Sequence, residues 1–276
     1  MSQRDDAHAP ASPHQRPHLR VDRPSDGVVL LTLDNPAQRN AMSDEMTASW
    51  VEVIDELAAD RSVRAVVVTG EGSAFSSGGN LDWLASEPDA GVDRLRERML
   101  PFYRAWLGVR RLEVPTIAAL NGPAIGAGLC LALACDVRYA AAGARMGVPF
   151  TRLGLHPGMA GTFLLPEVVG LAAARDLFLT GRLVQDEEAL RLGLVSRVLE
   201  PDAFLDEVLA TAAQVAAAAP VATRLTKLAL LDGGHADRES ALQWEALAQP
   251  VTMATVDLQE GILAAKEKRS PRFEGR

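Results

Sequence analysis

The sequence predicts an α/β fold with a helical C-terminal third. Through the first half, short apolar β-branched runs alternate with segments of helical periodicity. That order builds a parallel sheet with crossover helices. From Ala172 onward the pattern is helical, broken near Gly181, Gly193, Pro201 and Pro220.

Val28 to Leu33 (VVLLTL) reads as the first strand, bounded by Gly27 and Asp34. Asp34-Asn35-Pro36 marks a turn. Ser43 suits a helix N-cap, with Asp44 and Glu45 in the first turn. Met46, Trp50, Val53, Ile54 and Leu57 then fall on one helical face, so a helix is expected to about Ala59. Val63 to Thr69 (VRAVVVT) is almost wholly apolar, the pattern of a strand buried on both faces. Gly70 to Asn80 is a glycine- and serine-rich loop, and residues 92 to 112 read as an arginine-rich helix. Pro115 to Leu120 is a third strand, followed by a second glycine-rich turn, Asn121 to Gly128, and a buried helix over Leu129 to Ala134. Val137 to Ala140 is a fourth strand. A third loop, Gly154 to Gly161, precedes the helical remainder. The connections are short, which argues against independent domains on a linker.

Composition excludes several function classes. Hydrophobic residues are 48% of the 276 and charged residues 23%, so the chain carries enough apolar surface for a full core. Its 28 basic and 36 acidic residues give a net charge of −8, which disfavours nucleic acid and anionic membranes. No apolar run is long enough for a transmembrane helix. The two cysteines, Cys130 and Cys135, are too few and too close for a disulfide framework or zinc site, and no metal site is expected. Met1 to His18 is polar, carries Asp5 and Asp6 and lacks an apolar signal region. It reads as a disordered tail with His8, His14 and His18 too loosely spaced for ligands, and a cytoplasmic protein is expected.

Two glycine-rich loops follow two buried strands, the place where ligands bind in such sheets. The second opens a helix, whose first N–H groups lack intrahelical partners and sit at the positive end of the dipole. Small residues at Gly126, Ala127 and Gly128 leave that backbone open to a ligand oxygen. Ser76-Ser77-Gly78-Gly79-Asn80 offers a second free amide, and two converging amides make an oxyanion hole. Either loop alone also reads as ordinary turn punctuation. Neither matches a phosphate-binding fingerprint.

Together with these loops, further motifs appear in order: Asn35 to Met42 (NPAQRNAM), Gly70 to Leu81 (GEGSAFSSGGNL), Pro115 to Gly128 (PTIAALNGPAIGAG), Ala134-Cys135-Asp136, Leu153 to Thr162 (LGLHPGMAGT), Leu179 to Arg182, and Ala189 to Val195 (ALRLGLV). From about Gly27 to Phe273 the chain resembles the crotonase, or enoyl-CoA hydratase/isomerase, superfamily. The resemblance implies a spiral of repeated β-β-α units with a C-terminal helical trimerisation region. It divides the chain into a tail over 1–20, a core with an acyl-CoA pocket over 21–200 and a helical oligomerisation region over 201–276. It implies a homotrimer or a hexamer of two trimers. Acyl-CoA thioesters are the implied substrates, with no cofactor beyond the coenzyme A they carry. By motif position, the oxyanion donors are the N–H groups of Gly79 and Ala127. Alanine in place of the usual glycine keeps its N–H, provided φ there is negative. Arg39, Ala41, Ser77, Gly79, Asn80, Leu81, Ala127 and Lys268 are the implied substrate-binding set, with Lys268 able to reach from a neighbouring subunit.

The sequence departs from the family at the proton-transfer positions. Where a typical hydratase carries two glutamates, this chain has Cys130 and Phe150. A phenyl ring moves no proton, and an unperturbed thiol, with a pKa of ~8.5, is a poor substitute. His156 in the third loop is a candidate base or a turn residue bonded to backbone. Asp82, Glu87 and Asp89 are candidate carboxylates or a solvated face. Ordinary hydration is therefore not expected; isomerase, decarboxylase or other lyase chemistry, or a catalytically silent acyl-CoA binder, fits instead.

Overall fold

β-branched residues buried on both faces form the spine of the molecule. The computed structural model describes residues 16–276. An edge hairpin, β1 (Leu19–Ser25) and β2 (Val28–Leu33), leads into α1 (Asp44–Ala59) and β3 (Ala65–Gly70). After the short α2 (Leu81–Leu84) and the long α3 (Val92–Trp106) come β4 (Thr116–Leu120), β5 (Ala124–Ile125), α4 (Ala127–Ala134), β6 (Val137–Ala141) and β7 (Arg145–Gly147). The chain continues through α5 (Gly161–Thr180), β8 (Leu183–Gln185), α6 (Asp186–Arg191) and β9 (Arg197–Leu199). It finishes with α7 (Phe204–Ala216), α8 (Pro220–Leu230), α9 (Arg238–Met253) and α10 (Val256–Glu267).

The main sheet has the order β1-β2-β3-β4-β6-β9, antiparallel only at β1 and β2. A second sheet joins β5, β7 and β8. The residues of β2, β3 and β4 are all buried, as expected of parallel strands covered on both sides. One face packs under α1, α3 and α4, where Trp50 and Trp106 stack with ring centroids 5.0 Å apart. The other face packs on α7 through Phe204, Val208 and Ala212. Ser43 caps α1 as its sequence predicts, its hydroxyl accepting from Met46 N at 3.3 Å.

α8 is tied to the sheet by an ion pair between a buried lysine and a half-buried aspartate. Lys227 Nζ lies 2.8 Å from Asp136 Oδ2 and donates to the Val114 carbonyl at 2.8 Å. The same carboxylate oxygen accepts from Thr116 N and Thr116 Oγ1. Asp136, at the end of the buried helix, therefore serves structure. It joins the starts of β4 and β6 and anchors the C-terminal helices.

Several expectations need correction. The tail expected over 1–20 falls, for residues 1–15, outside the described residues; so do His8 and His14. Leu19 and Arg20 instead belong to β1, and Leu19 is buried. The C-terminal half is interrupted by β8 and β9, three residues each, whose shortness hides their alternation. α4 begins at Ala127 rather than Leu129, because Gly126 takes φ 56° and ψ −120° and turns the chain straight into the helix.

Candidate active site

Two loops are pressed together at the C-terminal ends of β3 and β4. Ile125 N donates to the Ser76 carbonyl at 3.0 Å, and Met42 N to the Gly78 carbonyl at 2.8 Å. Gly78 has φ 92°, and a Cβ there would stand 2.5 Å from the Ile125 carbonyl oxygen and 3.1 Å from Ala127 N. A Cβ on Gly128 would stand 2.5 Å from the Ser76 carbonyl oxygen. The approach of the loops therefore requires glycine at both positions.

Asn40 locks this arrangement from below. It is fully buried with φ 55°; its Oδ1 accepts from Asn35 N, and its Nδ2 donates to the carbonyls of Glu71 (3.0 Å) and Ala74 (2.8 Å). Its own carbonyl accepts from Ser76 Oγ at 2.8 Å, and that hydroxyl in turn accepts from Gly78 N at 3.1 Å. Asn121 ties the second loop to the first by accepting from Gly70 N and donating to the Gly72 carbonyl.

A cavity of about 430 Å³ opens over the junction. Gly79 and Ala127 both line it, and among the described residues neither amide has a hydrogen-bond acceptor. Ala127 N is the first amide of α4, at the positive helix end. Ala127 is not among the positive-φ residues, so the condition that alanine placed on this position is met. The walls are mostly apolar: Ala41, Leu81, Leu84, Ile125, Pro149, Phe150, Leu153 and Leu155. Phe150 stands against Gly126, whose added Cβ would lie 3.8 Å from the ring. A larger cavity, about 610 Å³, lies at the other end of α4 beside Asp136 and Lys227. There Lys227 pairs with Asp136 and Arg110 with Asp232, whereas the smaller cavity is lined by two unpartnered amides and is the candidate site.

The sequence-derived residues separate in space. Ala41, Ser77, Gly79, Asn80, Leu81, Ala127 and Phe150 line the cavity. Arg39 does not: it is exposed, and its carbonyl accepts from Ser77 N, while its neighbour Gln38 reaches the wall. Lys268 caps α10 and lines no part of this cavity within one chain. Cys130 is fully buried behind the wall, its Sγ 3.7 Å from the Gly158 carbonyl, and burial pushes its thiol up to about 12. His156 is exposed and pairs through Nδ1 with the Pro157 carbonyl at 2.8 Å, outside the cavity lining. Of the three candidate carboxylates, Asp82 lines the cavity, Asp89 does not, and Glu87 is held by Arg94 and Arg98. Gln38, Leu84, Ile125, Pro149, Leu153 and Leu155 were not anticipated. Loop residues that only form walls carry no pattern of their own.

Comparison with known proteins finds relatives over nearly the whole described chain. The family model for enoyl-CoA hydratase/isomerase matches residues 23–276. The mitochondrial methylglutaconyl-CoA hydratase of Homo sapiens is 36% identical over 255 residues, 90% of this chain and 74% of that protein. The crystal structure of an enoyl-CoA hydratase from Bacillus anthracis superposes with a TM-score of 0.88 at 32% identity, covering 94% of this chain and 100% of that one. An enoyl-CoA hydratase from Polaromonas sp. JS666 gives a TM-score of 0.86 at 30% identity, covering 93% and 99%. With a family match over nearly its whole described length and the crotonase fold around two unpartnered amides, the chain belongs to the enoyl-CoA hydratase/isomerase family.

Proposed function

We propose that this protein binds an acyl-CoA thioester, takes its carbonyl oxygen between the amides of Gly79 and Ala127, and stabilises the enolate formed there. The observation that carries the reading is that both unpartnered amides line one cavity. Donors fixed in place by Asn40, Ser76 and the close-packed loops need no reorganisation as charge develops on the oxygen. The apolar walls limit water around that charge and strengthen each hydrogen bond.

The reaction is not two-carboxylate hydration. Position 130 holds a sealed thiol, position 150 a phenyl wall, and Asp82 is the one carboxylate among the lining residues. Decarboxylation or another lyase step fits best, because it draws on the enolate more than on a paired acid and base; isomerisation also passes through the enolate but would need a group to carry its proton. Ala41, Ser77, Asn80 and Leu81 would flank the pantetheine path. Lys268 would meet the ligand of a neighbouring copy in a trimer or hexamer, for which exposed Leu228, Leu230, Leu242, Leu247 and Met253 on α8 and α9 supply apolar surface.

Calorimetric titration with butyryl-CoA and assays over a panel of acyl-CoA esters test this reading. Butyryl-CoA is expected to bind, crotonyl-CoA hydration to be absent, and folded Gly79→Pro to lose turnover about 100-fold, ~3 kcal/mol for one lost donor. Unchanged behaviour of Gly79→Pro would refute the assignment. A second reading, a catalytically silent acyl-CoA binder, draws on the absence of a carboxylate at positions 130 and 150. Tight binding with no turnover of any ester would establish it.

A further inference from the structure

Each oxyanion donor has an apolar side chain standing against it. A Cβ on Gly79 would lie 3.8 Å from Leu84 Cδ1, and one on Gly126, the neighbour of Ala127, would lie 3.8 Å from the Phe150 ring. Leu84 is held there although α2 is only four residues long. Asn80 caps that helix by accepting from Trp83 N at 3.0 Å. Arg98 on α3 donates to the Trp83 carbonyl at 2.8 Å and lays its guanidinium 3.7 Å from the centre of the Trp83 ring. This wall is therefore formed before any ligand arrives, which spares the cost of ordering it on binding.

Beyond Phe150 the wall stays apolar. Phe150 lies in the single turn Pro149–Leu153. Leu153 and Leu155 continue the lining of the same cavity, yet they are 57% and 38% exposed. Scattered exposed leucines need no explanation, but two that extend one cavity wall mark a groove for an apolar ligand. The lining holds no cation, and Asp82 is its one ionisable side chain. Arg152, in the same turn, is drawn off to the Thr180 carbonyl, to which its Nε donates at 2.9 Å, and it lines no part of the cavity. A carboxylate carried along this wall would lose water and meet no counter-charge.

We propose that the site selects thioesters whose acyl group is an uncharged hydrocarbon chain longer than butyryl, laid from Ala127 past Phe150 to Leu153 and Leu155. This names the substrate class of the site described above and rests on that reading. It concerns the far end of the chain, so a group that leaves from Cα is compatible with it. Each methylene that reaches the wall leaves water, worth up to about fourfold in affinity. A terminal carboxylate forfeits that gain and adds the cost of stripping its own hydration.

Calorimetric titration of the full chain with butyryl-, octanoyl-, valeryl- and glutaryl-CoA tests the proposal. Octanoyl-CoA is expected to bind at least about tenfold tighter than butyryl-CoA. Valeryl- and glutaryl-CoA match in chain length, and the second, with its terminal carboxylate, is expected to bind at least about tenfold more weakly. These two comparisons need no variant. Replacing both rim leucines, Leu153→Ser/Leu155→Ser, is expected to cut the preference for octanoyl-CoA over butyryl-CoA to about threefold or less. Octanoyl-CoA no tighter than butyryl-CoA, glutaryl-CoA as tight as valeryl-CoA, or a double variant that keeps the full preference would each overturn the proposal. Failure of all four esters to bind the wild-type protein would instead overturn the functional reading beneath it.

Discussion

Gly78 and Ile125 meet so closely that a Cβ on the glycine would lie 2.5 Å from the isoleucine carbonyl oxygen. This contact sets the distance between the two amide-bearing loops. The placement of the two amides is thus a property of backbone packing, which no single side chain advertises.

Gly78→Ala is expected to force the loops apart, because the obstacle is backbone and the φ of 92° is itself strained for alanine. Butyryl-CoA affinity should fall at least tenfold, with a stability loss of ~2 kcal/mol or more. Gly143→Ala is the control: φ there is 84°, but nothing lies within 4 Å. It should cost only ~1–2 kcal/mol and leave affinity alone. Equal affinities in the two variants would show that the contact does not set the hole.

Asn40→Ala removes three side-chain hydrogen bonds of a fully buried residue and leaves the Glu71 carbonyl short of a donor and Asn35 N short of an acceptor. At ~1 kcal/mol each, and more for any group left unsatisfied, urea unfolding should report a loss of ~3 kcal/mol. Because Asn40 and Ser76 share one network, Asn40→Ala and Ser76→Ala should combine less than additively. Strict additivity would separate Asn40 from the site.

Burial pushes the Cys130 and Cys135 thiols up to about 12, and the Asp136 charge adds to the second shift. Unfolded thiols ionise near ~8.5. A pKa raised on folding gives stability that is complete below the unfolded value and lost as pH climbs toward the folded one. The protein should therefore weaken above about pH 8.5, by up to ~1.4 kcal/mol per pH unit for each thiol. Urea unfolding at pH 7 and pH 10 should show a smaller drop in the double variant Cys130→Ala/Cys135→Ala than in wild type. Parallel drops would place the alkaline sensitivity elsewhere.

Lys227→Met strands the Asp136 carboxylate at the foot of α8 and should cost ~3 kcal/mol. Lys227→Met/Asp136→Asn should recover part of that loss, since the stranded charge is then gone. A double variant at least as unstable as the sum of its parents would argue against the pair as the anchor of the helical region.

Much of this structure was legible in the sequence. The runs at 28–33 and 115–120 are buried strands because their apolar residues admit no solvent face. Ser43 and the Met46-to-Leu57 spacing placed α1. The strand at 19–25 escaped because LRVDRPS carries three charges and a proline, as an exposed edge strand may without penalty. The amide pair was legible because glycine at 78, 126 and 128 permits what other residues forbid. The wall residues Leu84, Leu153 and Leu155 were not, because loop residues that only line a cavity carry no pattern of their own.

The most direct test of the central claim is a crystal structure of the protein with butyryl-CoA. The account predicts the thioester oxygen within ~3.2 Å of both Gly79 N and Ala127 N, with the acyl chain against Phe150. A thioester bound with its carbonyl directed away from both amides would contradict it.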